Sequence, residues 1–159
     1  MTRRIRAPHA TPLMDVWLDS DKNVPSRARR DADSVIGDVD PETRYNFLLI
    51  VSELVSNAVL HSRGPLRLRV WREEAVLRTE VHDGSSLPPT VLMPSTCRPH
   101  GRGMFLVDSF ADDWGFEATP TGKVVWAEVS TAPRADPESR SGREQVPTVP
   151  TSSRPGSGG

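Results

Sequence analysis

Glu53-Leu54-Val55-Ser56-Asn57-Ala58-Val59-Leu60-His61 sets Glu53, Asn57 and His61 at four-residue steps in a mostly apolar run. On a helix each such step advances only about 40°, so the three side chains share one stripe. Apolar residues surround that stripe. The run therefore reads as a largely buried helix that shows one line of carboxylate, carboxamide and imidazole. Such a line suits a metal ion and an anion. The Asn57 carbonyl oxygen can ligate a hard cation and leave its other positions to phosphate oxygens and water, as Mg²⁺ prefers. Glu53, one turn earlier, can orient or deprotonate a hydroxyl or water. His61 can donate to a phosphate or cap the last turn. A solvated stripe on an amphipathic helix is the plainer alternative, and three aligned groups make it the weaker one.

The helix has clear ends. Asp40-Pro41-Glu42 supplies an N-cap, a proline at the first helical position and an acid in the first turn. Gly64-Pro65 stops it. Phe47, Ile50, Val51, Leu54, Ala58 and Val59 form its buried face. Upstream, residues 13–18 read as a strand. A helix follows from Val24-Pro25-Ser26, with Ala28, Ala32, Val35 and Ile36 inward and Arg27, Arg29 and Arg30 on a basic flank, ending at Gly37 and Asp38. Downstream, Leu66-Arg67-Leu68-Arg69-Val70-Trp71 alternates as a half-buried strand does. Arg72-Glu73-Glu74 connects it to a return strand over 76–82. Residues 86–100 hold four prolines and form a loop long enough to be functional. A short helix over 104–110 and a hairpin of strands 114–118 and 123–129 complete the order. The expected fold is α+β, a two-layer α/β sandwich with a mostly antiparallel mixed sheet and helices on one face.

Composition narrows the class. A chain of 159 residues suits one domain. Residues 12–130 carry the folded pattern. Residues 1–11 are expected to be flexible, and 131–159, rich in Pro, Ser and Gly, to be a disordered tail. The basic N-terminus is followed by no apolar run of signal-peptide length, and no segment approaches a membrane span. A single cysteine, Cys97, fits a reducing compartment. The expectation is a cytoplasmic protein with no membrane partner. A formal net charge of −1 gives no global field for direct nucleic-acid binding.

Four further motifs carry chemistry with falling strength. Asp83-Gly84 ends a strand, where a short acid can point into a pocket and accept a base amino group, although a plain turn is the simpler reading. Gly101-Arg102-Gly103 opens a helix, where backbone N–H groups can approach a polyphosphate and Arg102 can add a contact; a loop-to-helix junction would look the same. Gly122-Lys123 is the weakest, since a lysine at such a place is usually exposed. Cys97 and His100 have no companion ligands for zinc. Ser62 and Ser85 have no triad partners in sequence. Neither of the two common glycine-rich phosphate motifs is present.

Taken together, Glu53-x₃-Asn57-x₃-His61, Asp83-Gly84 after a hairpin, Gly101-Arg102-Gly103 before a helix and a closing hairpin resemble the GHKL (histidine-kinase-like) ATPase superfamily. Val24-Pro25-Ser26-Arg27-Ala28-Arg29 and Gly101 through Gly115 look most like the anti-sigma-factor serine/threonine kinases. The resemblance covers about residues 12–130. It implies the Bergerat-type sandwich, with ATP held between helices under a lid formed by 86–100. It implies Asn57 as the Mg²⁺ ligand, Glu53 as the general base and Asp83, with Gly84, as reader of the adenine amino group. Gly101 and Gly103 would match the glycines near the phosphates, beside the phosphate contacts read above for His61 and Arg102. The implied partners are a sigma factor and an anti-anti-sigma (STAS-type) protein that is phosphorylated on serine, with homodimerisation common. The alternative is an ATP-binding interaction switch without catalysis. Two boxes depart from the family. Asp-x-Gly-x-Gly is replaced by Asp83-Gly84-Ser85-Ser86-Leu87, and the glycine of a frequent Gly-Thr pair is followed here by Lys123. These departures bear on nucleotide affinity and lid geometry rather than on the fold.

Overall fold

A computed structural model describes residues 11–19, 21, 23–62, 64–91 and 102–132. The expectations for residues 1–10, for 133–159, for most of the 86–100 loop and for Gly101 lie outside these residues. The elements run β1 (Met14–Leu18), α1 (Val24–Val35), α2 (Pro41–His61), β2 (Leu66–Glu73), β3 (Val76–Asp83), α3 (Gly103–Phe110), β4 (Asp113–Thr119) and β5 (Gly122–Ser130). They form one five-stranded sheet in the order β1-β2-β3-β5-β4. Every neighbouring pair is antiparallel, so the sheet is not mixed.

Alternation along the strands decides where the core lies. Leu66, Leu68 and Val70 of β2, Leu77 and Val81 of β3, and Val125, Ala127 and Val129 of β5 are all buried on one face. The helices cover that face with Val24, Ala28 and Ala32 of α1, Met104 and Val107 of α3, and Phe47, Ile50, Val51, Leu54, Val55 and Ala58 of α2. Each such large side chain contributes about 1.5–3 kcal/mol by leaving water. Helix α2 is the centre of the layer and touches α1, α3 and the sheet. It is apolar on most sides, which is why its polar residues stand out.

The caps follow the local chemistry. The Asp40 carboxylate accepts the Thr43 N–H at 3.0 Å, and the adjacent proline opens α2. Donation from Thr43, by its side chain first and its N–H second, holds the Asp40 carboxyl below its ordinary range. Strand β2 runs two residues further than its alternation predicts, through Arg72 and Glu73. A tight turn at Glu74 and Ala75 makes this possible, with Glu74 at φ 49°. Its neighbour Arg72 donates to the carbonyls of Ile36 and Asp38, tying the end of β2 to the α1–α2 connection.

The opposite face of the sheet is charged. Arg78 donates to Glu80 (2.8 and 3.0 Å) and Glu128 (2.6 Å) and lies 4.5 Å from the centre of the Trp126 ring. Burial works against the Glu80 carboxylate, but His82 and Arg78 beside it hold its pKa below the ordinary value. Arg67 grips both oxygens of Asp15 at 2.7 Å. Among the described residues no helix is long and apolar enough to cross a membrane.

Candidate nucleotide site

Helix α2 sets the length of the site. Its last turn ends at Ser62, whose hydroxyl oxygen accepts the Gly84 N–H at 2.8 Å. This bond brings the turn after β3 to the C-terminal end of α2. From Glu53 to Ser62 the helix rises roughly 13 Å. The site therefore has two ends, with Glu53 at one and Asp83-Gly84 at the other.

At the first end Glu53 stands half-buried against the start of α3. A Cβ placed on Gly103 would lie 2.7 Å from Glu53 Oε2, inside contact distance. Glycine at 103 is therefore what lets the carboxylate sit there. The sequence assigns this glycine to a phosphate approach, and the structure adds the acid that faces it. Burial raises the Glu53 pKa above its ordinary 4.5, because the charged form loses water and gains no partner among the described residues. A carboxylate made more basic in this way is a better proton acceptor. Arg102 precedes the helix with its side chain exposed and makes no capping bond.

Asn57 lies one turn further along α2 and is half-buried. His61 is exposed in the last turn, where a basic side chain complements the helix dipole. The stripe thus runs from half-buried to exposed as α2 leaves the core.

At the second end Asp83 closes β3 and is 6% exposed. Its Oδ1 accepts the Ser85 N–H at 2.7 Å. Directly across the ladder stands Lys123. Its Nζ lies 3.0 Å from each carboxylate oxygen, with hydrogen-bond geometry only toward Oδ1. Oδ2 keeps the charge contact but makes no hydrogen bond among the described residues. The expectation of an exposed lysine is therefore wrong, since Lys123 is 3% exposed. Register explains it: residues 123, 125, 127 and 129 share one face of β5, and the last three belong to the core. Gly122 makes the approach possible. A Cβ there would fall 1.9 Å from the Asp83 carbonyl oxygen and 2.7 Å from Gly84 Cα.

The structure thus joins Glu53 with Gly103, and Asp83 with Gly84, along one side of α2. It places Asn57 between them, leaves His61 at the surface and leaves Arg102 exposed. Ser62, Ser85, Gly122 and Lys123 complete the second end. Sequence reading considered Ser62 and Ser85 only as nucleophiles, whereas both serve as hydrogen-bond anchors. The signal for Lys123 was its parity with Val125 and Ala127. A separate open groove of about 570 Å³ lies on the α1 side of α2, lined by Asn23, Pro25, Ser26, Arg29, Arg30 and Ser52.

The residues fit a magnesium nucleotide. No group of three His, Cys, Asp or Glu side chains among those described could hold a metal ion alone. A cation here would need Asn57 together with oxygens brought by the nucleotide, which suits Mg²⁺. At the other end the buried Asp83 Oδ2 makes no hydrogen bond among the described residues, and a ligand donor there would share it with Lys123, 3.0 Å away. A helix-covered antiparallel sheet of this kind is an α+β sandwich consistent with the GHKL ATPase fold. The chain belongs to the histidine kinase-like ATPase domain family, which its residues 18–129 match. Comparison with curated proteins gives no match.

Proposed function

We propose that the protein is a Mg-ATP-binding regulator that works as a serine/threonine kinase of the anti-sigma-factor type. It would bind a sigma factor and phosphorylate a serine on an anti-anti-sigma, STAS-type partner. The observation that carries this reading is the half-buried Glu53, basic through desolvation and set against Gly103 at the start of α3. Bound Mg-ATP would supply the transferable phosphoryl group. Asn57 would hold the cation. Asp83 would accept from the base through Oδ2. The N-terminal end of α3, starting at Gly103, would face the phosphates with its unpaired N–H groups. Glu53 would take the proton of the attacking serine hydroxyl. The groove lined by Arg29 and Arg30, one residue along α2 from Glu53 at Ser52, offers cationic groups to an acidic acceptor segment.

A second reading has its own observation. Lys123 already occupies Asp83, which favours a nucleotide-responsive interaction switch without phosphoryl transfer. One experiment separates the two. The wild-type chain is incubated with radiolabelled Mg-ATP and STAS-domain proteins captured with it from the native host. The kinase reading expects label on a serine of one captured protein. It expects Glu53→Ala to lose transfer by at least about 100-fold while still binding Mg-ATP. Partner control that persists in Glu53→Ala with no labelling in the wild type would support the switch instead.

A further inference from the structure

We propose that Lys123 is a specificity-determining residue of the base subsite, a resident counter-ion on Asp83 that removes the site's preference for a 6-amino purine. The proposal rests on the nucleotide reading above and concerns only how the base is read. Asp83 has three claims on its carboxylate before any ligand arrives. Ser85 N–H donates to Oδ1 at 2.7 Å, Lys123 Nζ donates to Oδ1 at 3.0 Å, and the same Nζ lies 3.0 Å from Oδ2. Both side chains are almost fully buried, at 1% for Asp83 and 3% for Lys123. Neither charge can leave alone, because removing one strands the other in a dry site.

The competition is unequal. An ammonium bound to a carboxylate makes a charge-assisted bond, roughly twice as strong as a neutral donor can make. The amino group of adenine is neutral. It cannot displace Lys123 and has only Oδ2, whose charge is already shared. A 6-oxo purine such as hypoxanthine places an acceptor at the same edge and a ring N–H beside it. The Lys123 ammonium can donate to that oxygen, and Asp83 Oδ2 can accept the ring N–H. The pair thus offers one donor and one acceptor to either base edge, where a lone carboxylate would favour the amino group. The backbone enforces the arrangement. Gly122 admits only glycine beside Asp83, and the row Val125, Ala127, Val129 keeps the Lys123 stem on the core face.

The test is calorimetric titration of the full chain with Mg-ADP and Mg-IDP, which differ only at that edge. The wild type is expected to bind the two within about threefold of each other. Lys123→Thr is expected to tighten Mg-ADP by about tenfold and to leave Mg-IDP unimproved, since a hydrogen bond to a freed charge has about that worth. Wild-type binding of Mg-ADP more than about tenfold tighter than Mg-IDP overturns the proposal without any variant, so a poorly folding Lys123→Thr does not shelter it. Equal gains for both nucleotides in Lys123→Thr, or no gain, overturn it as well. Binding of neither nucleotide by the wild type defeats the nucleotide reading itself, a different result from binding without the expected base ratio.

Discussion

Glu53 is half-buried and Asp83 almost fully buried, and their neighbours give the two acids different work. Asp83 has a buried cation at 3.0 Å and a backbone donor. Glu53 has neither, so burial alone acts on it and its pKa rises. A raised folded-state pKa means that the fold favours the protonated form. That favour is complete below the unfolded value near 4.5 and is lost as pH rises through the folded value. Glu53→Gln removes the charge and keeps the shape. The variant should melt close to the wild type at pH 4 and above it at pH 7, with the gap opening between. Melting curves across that range check this, and a gap that is constant or reversed would show that Glu53 has a stabilising partner. The same feature that weakens the folded state at neutral pH makes Glu53 the better base.

At the scale of elements, α2 and the β4–β5 hairpin do the positioning. Helix α2 was readable because its instructions are local: Asp40 as cap, Pro41 in the first turn, a buried row and Gly64-Pro65 at the end. The order of elements was readable for the same reason, as strand alternation and turn residues act over a few positions. What joins elements was harder to read. That β2 continues through Glu73 depends on a turn in which Glu74 adopts an uncommon φ. That Gly103 serves Glu53, and that Gly122 serves Asp83, depends on contacts between distant stretches of chain. Lys123 looked exposed because the Pro120-Thr121 turn lies just before it; its partner lies on another strand. Gly122→Ala tests the hairpin directly. The added Cβ meets the Asp83 carbonyl at 1.9 Å, and φ is +153°. Backbone strain of this kind costs about 1–3 kcal/mol. Urea unfolding should show at least that loss, and unchanged stability would mean that the turn is free to shift away from Asp83.

At the scale of the whole molecule, the sheet has two unlike faces. One is apolar and covered by three helices. The other is a lattice of charged and aromatic side chains centred on Arg78, Glu80 and Trp126. The proposed nucleotide site belongs to the helical layer. It lies along α2, with its ends closed by α3 and by the Asp83–Lys123 rung. The antiparallel sheet and its helical cover are consistent with the histidine kinase-like ATPase family, which residues 18–129 match. The departures at Ser85 and Lys123 are confined to the Asp83 end and leave Glu53 and Asn57 in place. The central claim is thus that this stripe binds Mg-ATP, with Asn57 holding the cation. Isothermal titration of the full chain with Mg-ATP measures this most directly. The account predicts saturable one-site binding that Asn57→Ala abolishes without lowering the melting temperature. No heat of binding up to millimolar Mg-ATP, or equal binding by wild type and Asn57→Ala, would contradict it.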